Sequence, residues 1–205
     1  MAGFKRKNTK TTEEVKLTWQ QRIMMDLHDL IHVLAVFMVC YMLLFRVVVV
    51  IGPSMYNTLV DGDRLVLMSN TVYRNPKAGD VIVASKKTFD DGECIIKRII
   101  ATEGQTVDID FQRGVVYVDG IALDEDYAYT PTTMYEGVDF PITVPEGSYF
   151  VMGDNRNSSK DSRNPQIGFI DKREILGKAV FLLMPGTHGN TEEANYDRIG
   201  FEVLK

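Results

Sequence analysis

The sequence predicts a mainly β fold, with a single N-terminal transmembrane helix followed by an all-β domain. Three observations carry that expectation. An apolar run of bilayer length occupies residues 30–46, and short apolar runs bounded by turn residues recur from residue 47 onward. An Asp-Gly pair, Asp119-Gly120, sits between two of those runs. The length of 205 residues leaves room for one domain of ordinary size plus an appendage. A net charge of -5 argues against a nucleic-acid partner, which favours a basic face.

Residues 1–29 are polar and of mixed charge, with helix expected to begin near Trp19. Apolar character then runs from Leu30 to Phe45, is interrupted by Arg46, and continues through Ile51. That length is what a bilayer span needs, and a helix apolar on every face is rarely a core helix. A cleaved signal peptide would show an Ala-x-Ala-like site after the apolar run; none follows Phe45, so the span is expected to stay as an anchor. Lys5, Arg6, Lys7, Lys10, Lys16 and Arg22 precede it, whereas only Arg46 and Arg64 closely follow. The positive-inside rule places residues 1–29 in the cytoplasm and residues 47–205 outside, in a single pass through the cell membrane. His28 and His32 could share a helix face, but with no third ligand they read as interfacial residues, and no metal site is expected. Cys40 falls within the span and Cys94 far outside it, so no disulfide is expected.

From residue 47 the pattern is β. Val47–Ile51, Arg64–Met68, Asp80–Ala84, Cys94–Ile100, Tyr149–Met152 and Ala179–Met184 are short apolar runs that read as strands. Gly114–Leu123 reads as a hairpin turning at Asp119-Gly120. Residues 124–140, rich in Asp, Tyr and Thr, read as a long surface loop, and one short helix is expected near Asp171. Residues 186–205 carry no assignable pattern.

Three segments carry chemistry. Ser54 lies in Gly52-Pro53-Ser54-Met55-Tyr56-Asn57-Thr58-Leu59, soon after the span. A serine hydroxyl needs a base, and the only histidine beyond the span is His188, so a lysine is favoured if Ser54 reacts. Lys97 is the candidate: strand alternation points it the same way as Ile95 and Ile99, where burial lowers an amine's pKa. Its neighbour Arg98 points to the opposite face, where it can stay charged and pair with a carboxylate. The third segment is the polar string Gly153-Asp154-Asn155-Arg156-Asn157-Ser158-Ser159-Lys160-Asp161-Ser162-Arg163, which by composition alone is a tightly turned solvated loop.

In that order behind an anchor, these segments resemble the conserved boxes of the type I signal peptidases, membrane-bound Ser/Lys proteases of exported proteins. Pro76-Lys77-Ala78-Gly79-Asp80-Val81-Ile82-Val83 resembles a further box, and the likeness spans about residues 30–185. The resemblance implies a signal-peptidase-like β domain with Ser54 as nucleophile, Lys97 as general base and the Ser54 backbone N–H as oxyanion donor. Ser159 matches the serine that holds the lysine amine. Asp161 and Arg163 match a pair that braces the site together with Arg98, and Asp154 and Arg156 are structural members of the same loop. No cofactor is implied. The implied partners are signal peptides of exported preproteins, the lipid bilayer and the secretion translocon. Met55, Tyr56 and Leu59 could dip into lipid headgroups or belong to the core.

The chain departs from the pattern at Asn57, where the family usually has proline, at Asn157, where many relatives have aspartate, and at Gly52, where some carry a second oxyanion hydroxyl. A competing class is a non-catalytic membrane-anchored assembly module on the same fold, for example in pilus biogenesis. A calcium loop at residues 154–161 is disfavoured because it lacks the mid-loop glycine and terminal glutamate such loops use.

Overall fold

The structure is a computed structural model and describes residues 18–87, 89, 93–187 and 194–204. The chain divides into two compact units near residue 41. The first is built on α1, Trp19–Leu44, a helix of 26 residues with none buried. Thr18 precedes it, and its hydroxyl accepts from Gln21 N, an N-cap that supplies a partner to one of the unpaired first-turn donors. At 1.5 Å per residue the helix is about 39 Å long, enough to cross a hydrocarbon core of about 30 Å. Among the described residues it is the one helix long and apolar enough to do so. It ends at Leu44, two residues short of the expected boundary. Phe45 and Arg46 already belong to the first strand, where the β-branched run Val47–Val50 favours extended backbone.

The second unit carries eleven strands among the described residues, all paired antiparallel. One sheet contains β1 (Phe45–Val49), β2 (Arg64–Ser69), β3 (Val81–Ser85), β4 (Cys94–Thr102), β9 (Ser148–Met152), β10 (Ile170–Asp171) and β11 (Ile175–Met184). Their order across the sheet is β1-β2-β11-β3-β4-β9-β10, so the last strand in the chain lies between two early ones. The other sheet contains β5 (Thr106–Asp110), β6 (Val115–Val118), β7 (Ile121–Ala122) and β8 (Ile142–Thr143), in the order β7-β6-β5-β8. The hairpin of β6 and β7 turns at Asp119 and Gly120, both at positive φ (52° and 77°), the geometry an Asp-Gly turn supplies. The short helix expected near Asp171 is a single 3-10 turn, Lys172–Glu174. Asp171 and Glu174 close it with a reciprocal capping box.

Strand alternation decides what β4 presents to each side. Ile96 packs on a core cluster with Met55, Leu59, Val81 and Val83. Ile95 and Ile99 belong to a second, with Ile82, Ile167 and Ile170. Lys97 is registered opposite Ile82, and Arg98 opposite Val81. The two basic residues therefore leave the strand on different faces, as the sequence predicts. Met55 and Leu59 are fully buried, so of the three residues considered for lipid contact these two are core. Residues 124–140 are irregular as expected. They are more than surface, however: Thr132 is fully buried, and Phe140 packs against the core cluster of Val107, Val116 and Phe150.

Candidate active site

Ser54 and Lys97, 43 residues apart in the chain, meet where the Ser54 loop approaches β4. The loop that carries Ser54 is pinched shut at its base, where Val50 N donates to Asp63 O (2.8 Å) and Gly62 N to Val50 O (2.9 Å). Within it, Tyr56 N donates to Pro53 O (3.0 Å) and Leu59 N to Met55 O (2.8 Å). Backbone bonds thus close the turn around Asn57. Lys97 Nζ then donates to Ser54 Oγ at 2.8 Å and to Ile96 O at 3.0 Å. Lys97 is 5% exposed, and its burial lowers its pKa to about 8, against the opposing pull of the Asp161, Asp154 and Glu136 carboxylates. A lysine at about 8 is neutral in about a tenth of molecules at pH 7, against fewer than about one in a thousand for a solvated amine.

The polar string 153–163 is not a solvated loop. Asp154, Arg156, Ser159, Asp161, Ser162 and Arg163 are all buried. Burial of so many charges demands partners, and each has one. Arg98 is bidentate to Asp154, Nε to Oδ1 at 2.9 Å and Nη2 to Oδ2 at 2.8 Å, and its guanidinium lies 4.1 Å from the Tyr127 ring centre. Thr58 donates its hydroxyl to the same carboxylate. Arg156 is bidentate to Glu125, both bonds 2.6 Å, and also donates to Thr132 Oγ1 at 3.0 Å. Arg163 is bidentate to Asp161 at 2.8 and 2.7 Å and donates to Arg156 O at 2.6 Å. The brace expected of Asp161 and Arg163 with Arg98 is therefore two separate pairs, because strand alternation sends Arg98 to the face where Asp154 lies.

Ser159 Oγ donates to Asp161 Oδ2 (2.9 Å), which also accepts from Gly153 N (3.0 Å). The family-implied bond from Ser159 to the lysine amine is not the one this hydroxyl makes. Its place is under Gly153, where an added Cβ would sit 2.2 Å from Ser159 Oγ and 2.4 Å from Ser54 O. The glycine is required by this close approach of the Ser54 backbone. Asn155 fastens the same contact, its N donating to Ser54 O at 3.0 Å and its Nδ2 to Pro53 O at 3.1 Å. At the position of the possible second oxyanion hydroxyl, Gly52 N is already engaged by Asp61 Oδ1 (2.7 Å). Asn157 uses its amide as only an amide can. Oδ1 accepts from Thr133 N and Met134 N, while Nδ2 donates to Thr130 Oγ1 and Pro131 O.

Sequence reasoning missed Thr58, Glu125, Tyr127, Thr132 and Glu136. Glu136 comes within 3.0 Å of Arg163 with its side chain 8% exposed, and burial raises its pKa to about 7. His188, the histidine considered as a partner for Ser54, lies outside the described residues. A cleft of about 390 Å³ opens beside Ser54 and Lys97, walled by Val48, Ile51, Met55, Ile95 and Ile96.

A serine hydroxyl with an amine rather than an imidazole beside it, on a β domain behind an apolar helix, places the molecule in the class of serine hydrolases. The family model for signal peptidase, peptidase S26, matches residues 24–184. A probable signal peptidase I-1 of Synechocystis sp. is 39% identical over 144 residues, covering 66% of this chain and 69% of the relative. A signal peptidase I of Bacillus licheniformis is 37% identical over 154 residues, covering 69% and 78%. The crystal structure of a signal peptidase I from Enterococcus faecalis V583 is 32% identical, covering 51% of this chain and 97% of that chain with a TM-score of 0.42. The chain belongs to the signal peptidase family, peptidase S26, and is a serine endopeptidase of the signal peptidase I kind.

Proposed function

We propose that this signal peptidase cleaves the signal peptides of exported preproteins with Ser54 as nucleophile and Lys97 as general base. The observation that supports it best is the 2.8 Å approach of Lys97 Nζ to Ser54 Oγ inside a buried site that raises the neutral fraction of the amine. The neutral amine takes the Oγ proton as Oγ attacks the scissile carbonyl. The oxyanion then faces the Ser54 backbone N–H, as donors aimed at developing charge must. The Lys97 ammonium returns its proton to the departing amine, leaving an ester on Ser54. A water deprotonated by Lys97 hydrolyses that ester. Arg98, Asp154, Arg156, Ser159, Asp161 and Arg163 hold the geometry and do not touch the reacting atoms.

The mainly apolar cleft suits an extended peptide, which can pair with a sheet edge, and the resemblance implies small side chains near the cut. Ile51, 87% exposed beside the cleft, suits contact with lipid. Residues 1–29 then lie in the cytoplasm, residues 30–46 cross the membrane and residues 47–205 work outside, on chains delivered by the translocon. No observation favours the non-catalytic assembly module, since the hydroxyl and amine that chemistry needs are both present and adjacent. Cleavage of a preprotein in vitro tests the assignment. Ser54→Ala and Lys97→Ala should each lower kcat at least about 10³-fold with the unfolding transition retained. A Lys97→Ala enzyme keeping most of its activity would mean another base.

A further inference from the structure

Residues 195–204 lie beyond the part of the chain that the family match covers, yet they bind to the loop that carries Ser54. Asn195 opens a 3-10 turn over Tyr196–Arg198, its side chain accepting from Asp197 N at 3.0 Å. Gly200 exchanges two backbone bonds with Leu182 of β11. Phe201 meets Phe181 edge-on, ring centres 4.8 Å apart. Leu204 is buried in the same core cluster as Met55 and Leu59. The segment thus has its apolar footing on the C-terminal side of Arg198 and a capped turn on the other.

Arg198 reaches from there to the base of the Ser54 loop. Nη1 donates to Asp63 Oδ1 (3.0 Å), Nη2 to Asp63 Oδ2 (2.8 Å), and Nη2 also to Thr58 O (2.9 Å). Asp63 is fully buried and accepts in addition from Val60 N (2.9 Å) and Gly186 N (2.7 Å). Thr58 in turn gives its hydroxyl to Asp154, the partner of Arg98, next to Lys97 on β4. One guanidinium therefore ties both ends of the segment 58–63 and connects, through Thr58 and Asp154, to the strand that carries the amine.

We propose that Arg198 is a positioning residue for the reaction: through Asp63 and Thr58 it holds the Ser54 loop at the distance Lys97 requires. The proposal rests on Ser54 being the nucleophile. A displacement of about 1 Å at a reacting atom can cost about 10²-fold in rate, so loss of the tether acts on kcat. Substrate binds along the cleft, which Arg198 does not line, so KM is left nearly unchanged.

The experiment uses the full-length enzyme in detergent with a preprotein substrate, at a temperature where each variant is folded. Arg198→Ala should lower kcat about 10²-fold, with KM within about twofold and the pH midpoint set by Lys97 unmoved. Arg198→Lys keeps the charge but not the fork, so it should recover part of the loss and stand as the informative variant if Arg198→Ala does not fold. Phe201→Ala removes packing from the same segment and should lower the melting temperature while leaving kcat within about twofold. An Arg198→Ala or Arg198→Lys enzyme with wild-type kcat overturns the proposal, as does a Phe201→Ala enzyme that loses kcat in step with stability. Ser54→Ala is assayed alongside. If it is active, the nucleophile assignment fails; if it is dead while the Arg198 variants are fully active, only the positioning role fails.

Discussion

At the scale of single residues the decisive quantity is the protonation of Lys97. In the proposed mechanism only the neutral amine can accept the Ser54 proton, and burial brings its pKa to about 8. The rate below that value should therefore rise about tenfold per pH unit and level off above it. A kcat profile from pH 6 to 10 checks this, and a flat profile would exclude Lys97 as the base. The same shift acts on stability. The pKa of the folded state lies below the ordinary 10.5, so the contribution of this residue is present above 10.5 and is lost as pH falls toward about 8. Lys97 was legible in the sequence as a candidate through the resemblance of the ordered segments, since a lysine on a strand by itself reads as an edge residue reaching solvent. The distance to Ser54 was not, since no local pattern records that the Ser54 loop and β4 meet across 43 residues. Glu136 was hidden for the opposite reason, as one more acid in a stretch rich in Asp, Tyr and Thr.

At the scale of elements, the polar string 153–163 is where composition misleads. Read by residue type it is a solvated turn; in the fold Asp154, Arg156, Asp161 and Arg163 are inside, paired with Arg98, Glu125 and one another. Composition reports the polarity of a segment, whereas burial depends on partners contributed by β4 and residues 124–140. Position 153 gives the sharpest test. A methyl group there would meet Ser54 O at 2.4 Å and Ser159 Oγ at 2.2 Å. Ser159 can turn away, but the Ser54 backbone cannot without moving the Ser54 hydroxyl. Gly153→Ala should therefore destabilise by about 1–3 kcal/mol in chemical denaturation and lower kcat about 10²-fold or more. Wild-type kcat would show that the Ser54 loop tolerates displacement. Among the strands, β5 went unrecognised because Thr106–Asp110 is short and carries two aspartates, although its alternate residues Val107 and Ile109 are buried.

At the scale of the whole molecule, the strand runs and the class of fold were legible and the topology was not. Periodicity marks a strand but not its neighbours, and nothing in the run 175–184 says that β11 threads between β2 and β3. That placement makes the large sheet depend on a late segment. A chain ended at Glu174 leaves β2 and β3 without their common partner and should show no cooperative thermal transition by circular dichroism. A sharp transition would mean that the sheet closes by pairing β2 directly with β3.

The buried pairs Asp154–Arg98, Glu125–Arg156 and Asp161–Arg163 also bear on how such a molecule can change. Interior ion pairs are seldom the most stable way to fill space, and well-packed apolar substitutes of similar volume are often neutral or stabilising. Selection for heat resistance alone would therefore erode these positions, trading guanidinium and carboxylate for leucine and methionine. A hardened variant of that origin would keep its shape and lose its chemistry. On the roles proposed for Ser54 and Lys97, the charges around them are stability given up for aim.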